Sequence, residues 1–255
     1  MIDLHAHILP GMDDGSENIE ESLAMAELAL ESGVDILAAT PHSNQEDRFE
    51  NFCSDEFKSV FFRFRRELRR AGLPLKILSG MEIYSTEDIS AKIESGMLTG
   101  INGTKYFLVE FPFDAEPWWI GDRLEEIFDA GKVPLIAHPE RYFCVWDYPE
   151  LVYDWNQMGC LAQINKGSVL GRFGREAEYT SHVLLQHGLV QCVASDAHSS
   201  YVRTPHMREV RDYLIRSFGY EYMQRLLNLN PMRIIRNKPV KIQGRKPEAV
   251  RRFFW

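Results

Sequence analysis

The chain is poor in cysteine and has no long apolar run, and each shortage removes a class of protein from consideration. Cys53, Cys144, Cys160 and Cys192 are its four cysteines, widely scattered and without a Cys-x-x-Cys pair. That spacing argues against a zinc ribbon and against a thioredoxin-like site. Reduced thiols, buried and inert at Cys160 and Cys192, are the expectation. No apolar stretch approaches the roughly 20 residues of a membrane span. The N-terminus has neither a basic n-region nor an apolar h-region, so the expected location is the cytoplasm. No Pro- or Ser-rich linker interrupts the chain, which reads as one domain over 1–237.

Positive charge is also in deficit, except at one end. Residues 238–255 hold six cations against Glu248 alone, a net of +5 that leaves −13 on the rest of a chain whose total is −8. An acidic body is a poor partner for a phosphate backbone, so nucleic acid is excluded as the main ligand. The basic tail, which ends in Phe253-Phe254-Trp255, is expected either to be solvated or to recruit the protein to an acidic partner or an anionic membrane surface.

What the chain does contain is a repeated alternation. Apolar strands are expected at 2–4, 35–40, 75–80, 106–109, 133–137, 161–164 and 190–194. Helical periodicity separates them: from Ile19, with Asn18 and Glu21 as a capping box, to Gly33, and over 56–71, 86–95, 118–130 and 150–158. A further helix runs to about 187, and helices dominate beyond the last strand. Seven strands alternating with helices imply parallel pairing through βαβ crossovers. The expected fold is α/β, a distorted TIM-like barrel with one unit fewer than the usual eight, and its chemistry should sit at the C-terminal strand ends.

The residues at those ends share one chemistry. The first strand runs into His5-Ala6-His7, whose two imidazoles lie two apart and therefore on one face. Later strand ends supply His42, Glu82, Glu110, His138, Asp196 and His198, and the first loop supplies Asp14. Five imidazoles and four carboxylates exceed the needs of one ion, so two or three are expected. Nitrogen and oxygen donors without thiolate suit Mn, Fe, Zn or Co.

Read together, MIDLHAHILPGMDDG, ATPHS, SGMEIY, LVEFPF, IAHPERY, VASDAH and Asn230-Pro231 resemble the PHP (polymerase and histidinol phosphatase) superfamily. Within it they are similar to the manganese-dependent protein-tyrosine phosphatases of bacterial capsule and exopolysaccharide operons. The resemblance implies the PHP fold, a (β/α)7 barrel. It implies one metal on His5, His7, Glu82 and Asp196, a second sharing Glu82 with Glu110 and His138, and a third on Asp14, His42 and His198. It implies that Arg141 and Arg203 grip the substrate phosphate, as an arginine fork suits that group. Asp196 or a ligand histidine is the candidate general acid.

The implied substrate is phosphotyrosine on protein, with a membrane-associated, autophosphorylating tyrosine kinase as partner. The rival is a small phosphate monoester such as histidinol phosphate. Lys166 stands where the resemblance leads one to expect a small hydroxyl residue, placing a charge near the phosphate or in solvent. Phe113, Asp114, Pro117, Trp118 and Trp119 are expected to wall a tyrosyl ring or to pack a helix. His182 and His187 are read as surface or packing residues, and His206 has no role.

Overall fold

Pro41 has no N–H to give a β-ladder, and it breaks the second strand just before His42. A computed structural model describes residues 1–248 of the chain. Its strands are β1 (Ile2–Ala6), β2 (Ile36–Ala39), β3 (His42–Ser43), β4 (Lys76–Ser79), β5 (Glu82–Tyr84), β6 (Tyr106–Glu110), β7 (Val133–Ala137), β8 (Leu161–Asn165) and β9 (Cys192–Ala194). Seven strands were expected because β2 and β3 are one strand interrupted at Thr40-Pro41, and β4 and β5 one strand interrupted at Gly80-Met81. The two interruptions meet across the sheet, since a Cβ on Gly80 would lie 3.0 Å from Thr40 Cγ2.

All pairings between these strands are parallel, in the orders β1-β2-β4 and β3-β5-β6-β7-β8-β9. A parallel bridge between Ala6 and Ala197 joins the two ends, so the ring closes at its C-terminal half. The fold is a TIM-like α/β barrel. Its interior below Glu110 is filled by residues on the same strand faces, Tyr106 and Leu108 with Leu135 and Leu161, and is stopped at the base by Ile234 and Ile235. The alternate positions Phe107, Val109 and Ile136 face outward into the larger helix-covered core. At the N-terminal half β4 ends its sheet, so among the described residues its outer edge carries no ladder. That edge faces a groove of ≈430 Å³ lined by Arg65, Arg69 and Lys76.

Helix limits follow local chemistry. Asn18 Oδ1 accepts from Glu21 N at 2.9 Å, while Glu21 answers to Glu17 N at 3.3 Å and not to Asn18, so half of the expected capping box forms. Helix Ile89–Glu94 is shorter than expected because Thr86 is held outside it, accepting from Asn44 Nδ2 at 2.8 Å. The last strand starts at Cys192 because the Gln191 side chain, not its neighbour's backbone, takes the Ala162 N–H at 2.6 Å.

Residues 238–248 run along the barrel base. Tyr106 Oη donates to Lys238 O at 2.7 Å, Val240 and Ile242 pack on the interior cluster, and Lys246 pairs with Asp154 at 2.8 Å. Arg251, Arg252 and Phe253-Phe254-Trp255 lie outside the described residues. No helix of the described residues is long and apolar enough to cross a membrane.

Candidate metal centre

At the upper rim the backbone leaves its ladders and turns side chains into the barrel mouth. The register of β1 against β2 shifts between Asp3 and Ala6, and His5 and His7 follow on one side. His138 and Asp196, just beyond β7 and β9, are left-handed at φ 36° and 49°. For non-glycine residues such backbone costs about 1–3 kcal/mol. It is held by His138 N donating to Gln163 O at 2.7 Å and Asp196 N donating to His5 O at 2.9 Å.

All nine residues expected as ligands meet here. Ligand atoms lie within 4.8 Å of one another in three groups: His5, His7 and Asp196; His7, Asp14, His42 and His198; and His42, Glu82 and Glu110. His138 Nε2 lies 2.9 Å from Glu82 Oε1 and 3.6 Å from Glu110 Oε1. Glu82 is the centre of the cluster, with His5, His7 and His42 also at 3.2, 3.2 and 3.0 Å. The Asp14 side chain is 44% exposed and forms the solvent side.

The tautomers show what this cluster is built to hold. His5 Nδ1 donates to Gln163 Oε1 at 2.8 Å and His7 Nδ1 donates to Asp13 Oδ2 at 2.6 Å. The two Nε2 atoms then face each other at 3.1 Å, close enough to share a proton or a metal ion. Two lone pairs at that separation repel unless a cation or a proton lies between them. His138 Nδ1 is buried without a hydrogen-bond partner. Donors of nitrogen and oxygen, with one imidazole backed by a carboxylate and another by an amide, fit a divalent transition metal.

Protonation follows the same crowding. Burial and the neighbouring Glu82 push Glu110 up to about 8. Against burial, His5 and His42 hold Glu82 well below the carboxylate range, and His5, His7 and Arg203 do the same for Asp196. Burial takes His138 down to about 4, whereas Asp13 lifts His7 well above an ordinary imidazole despite burial.

Above the cluster lies a cleft of ≈470 Å³ with Arg141 and Arg203 in its wall. Arg203 Nη2 donates to Asp196 Oδ2, and Arg141 Nη1 lies 3.8 Å from the same oxygen. Arg203 Nε is buried and unpartnered. Of the aromatic segment, Phe113 and Asp114 line this cleft, Trp119 lines a neighbouring groove and Trp118 is 66% exposed. Lys166 points neither at the cleft nor to solvent: it is 3% exposed and Nζ donates to Thr204 O and, at 2.9 Å, to His206 O.

Several supporting residues escaped sequence reasoning. Asp13, which backs His7, also accepts from His42 N at 2.8 Å. Gln163 and Asn165 alternate along β8 and face the site, Asn165 Nδ2 donating to Asp196 Oδ2 at 2.6 Å. Polar residues two apart in an apolar strand were the available signal. Buried Glu140 accepts from Ser168 Oγ at 2.6 Å and Asn165 N at 2.9 Å, and burial pushes it up to about 7. Phe173, under both arginines, had no signal. His182 donates to Val169 O at 3.1 Å and His187 to Val183 O at 2.8 Å, both packing roles. Burial pushes the thiols of Cys144 and Cys160 up to about 11 and about 12, away from thiolate chemistry.

Known proteins share this arrangement of chain. Residues 1–236 match the family described as Capsular polysaccharide synthesis, CpsB/CapC. The chain is 34% identical over 254 residues to tyrosine-protein phosphatase YwqE of Bacillus subtilis, covering 100% of this chain and 99% of that one. It is 33% identical over 246 residues to tyrosine-protein phosphatase CpsB of Streptococcus agalactiae, covering 93% and 99%. Among solved structures it is similar to one described as YwqE from Bacillus subtilis and CpsB from Streptococcus pneumoniae, unique metal-dependent tyrosine phosphatases. There the TM-score is 0.89 at 33% identity, covering 99% of this chain and 100% of that one. The phosphotriesterase homology protein of Escherichia coli shares the fold, with a TM-score of 0.57 at 13% identity over 92% of this chain and 98% of that one.

Proposed function

The chain belongs to the CpsB/CapC family, and from that premise we propose that it is a metal-dependent protein-tyrosine phosphatase of capsular or exopolysaccharide synthesis. The observation that carries this is the convergence of nitrogen and oxygen donors beneath a cleft walled by two arginines. We assign the nine ligand residues to two or three ions, with manganese as the resident metal; the same donors accommodate Fe, Co or Zn. Bound divalent ions supply Lewis acidity, activating water and neutralising phosphoryl oxygens.

The chain's own residues do the rest. Arg141 and Arg203 present N–H forks to the non-bridging oxygens. Asp196, held ionised, shares Oδ2 with both arginines and turns Oδ1 to the histidines, which suits a ligand and positioning role better than that of a general acid. No acid is required, because a phenol with a pKa of about 10 leaves far more readily than an alkoxide. Asp13 and Gln163 hold His7 and His5 in the tautomers that direct Nε2 inward. Phe113 and Pro112 give the phenyl ring an apolar wall.

The phosphoprotein we assign is a tyrosine kinase of the same pathway, met in the cytoplasm. The test strips metal from the protein, refills it with Mn, Fe, Co, Zn or Mg, counts bound ions by mass spectrometry and measures turnover of a phosphotyrosine peptide and of histidinol phosphate. More than one ion per chain, chelator-sensitive turnover and preference for the peptide are expected. Activity in fully stripped protein sinks the mechanism, and preference for histidinol phosphate sinks the substrate.

A further inference from the structure

A second groove, of ≈750 Å³, abuts the catalytic cleft, and Tyr84 and Pro112 line both. Its floor is preformed. Asn44, left-handed at φ 63°, donates from Nδ2 to Tyr84 O at 2.9 Å and to Thr86 Oγ1 at 2.8 Å. Phe52 and Trp119 make an apolar wall. Glu46, Glu50 and Glu87 make an exposed rim, and none of them pairs with a cation among the described residues. Lys92, the one cation lining the groove among the described residues, is already taken by Asp88 at 3.0 Å and by Asn44 Oδ1 at 2.6 Å. Ser85 is 1% exposed, lines the groove and has an Oγ without a partner.

A phosphotyrosine seated in the cleft brings its polypeptide with it, and the chain must leave across one of the walls. Neighbouring residues are about 3.3–3.6 Å further on per position, so one of the first few reaches the adjoining groove. An apolar wall with an acidic rim matches a side chain that is apolar along its stem and cationic at its tip. The exposed carboxylates of that rim draw a cation, whereas Arg141 and Arg203 over the cleft draw the phosphate, so phosphate and flanking residue are sorted to different compartments.

We propose that this groove is a specificity subsite for a lysine or arginine side chain flanking the phosphotyrosine. The proposal rests on the phosphatase reading above. The test uses metal-loaded full chain and short phosphotyrosine peptides that carry one Lys, Glu or Ala at each position within three residues of the phosphotyrosine, with free phosphotyrosine as reference. At one or two positions Lys should exceed Glu by about tenfold in kcat/KM, carried by KM and shrinking with salt. Glu46→Gln, Glu50→Gln and Glu87→Gln together should shrink that preference to about twofold while leaving turnover of free phosphotyrosine as in the parent. Equal kcat/KM for Lys and Glu peptides at every position, with free phosphotyrosine still hydrolysed, overturns the subsite alone. A preference that survives the triple substitution also overturns it. Failure to hydrolyse free phosphotyrosine and every peptide overturns the phosphatase reading and the subsite with it.

Discussion

Arg141 and Arg203 share one aromatic support. Their guanidinium carbons lie 4.8 and 5.4 Å from the centre of the Phe173 ring, and Arg141 also lies 4.5 Å from that of Phe113. Gly167 makes room for that ring, since a Cβ there would lie 2.7 Å from Phe173 Cε2. In the phosphatase we propose, an Arg141 held this way would meet the charge that grows on the phosphoryl oxygens. Arg141→Ala should lower kcat/KM by about 10², with bound metal unchanged by mass spectrometry; parallel loss of metal would reassign it. Lys166 acts on the same segment from beneath, through carbonyls of the loop just past Arg203. Burial takes its amine down to about 8 from 10.5. Between those values the unfolded chain binds more protons than the folded one, so this group raises stability as pH climbs from 8 to 10.5 and is a burden below 8. The unfolding free energy of the parent in urea minus that of Lys166→Met should therefore increase by on the order of 2–3 kcal/mol between pH 7.5 and 10.5. A difference independent of pH would mean that the amine is not held in that state.

Among the elements, the turn after β1 is the one on which the centre most depends. A Cβ on Gly15 would lie 2.2 Å from His7 O and 2.4 Å from His7 Cβ, so Gly15→Ala must displace either the histidine or the turn. Overpacking of this kind costs about 1–3 kcal/mol. The expected outcome is a protein with parental far-ultraviolet circular dichroism but less bound metal; full metal content would show that the turn yields instead. Strand positions were largely legible because parallel strands buried on both faces read as short apolar runs. The strand-end cluster of imidazoles and carboxylates was legible for a related reason: a polar residue after such a run has few packing uses. The two broken strands were not, because Pro41 and Gly80 read as ordinary strand ends, and the short pieces beyond them hold only two and three residues. Asp13, Glu140 and Phe173 act through other side chains, and contacts between distant segments leave no local periodicity to read.

At the scale of the whole molecule, the two ends of the barrel differ in charge and in purpose. Residues 238–248 belong to the base, where Val240 and Ile242 join the interior cluster. Deleting residues 240–255 should thus cost about 1–3 kcal/mol in thermal or urea unfolding through lost apolar burial. Deleting only 249–255 should leave kcat/KM on a short phosphopeptide within about twofold of the parent while slowing action on the full kinase at low salt, if the terminal charge recruits it. Equal rates on the full kinase at every salt concentration would remove that role. The open edge of β4 lies toward the same base. An unpaired strand edge is where a second copy of a chain can add itself. Arg65, Arg69 and Lys76 stand along that groove, so two molecules approaching edge to edge would bring like charges together before any backbone bond could form. Like charge along this face therefore opposes self-association through that edge.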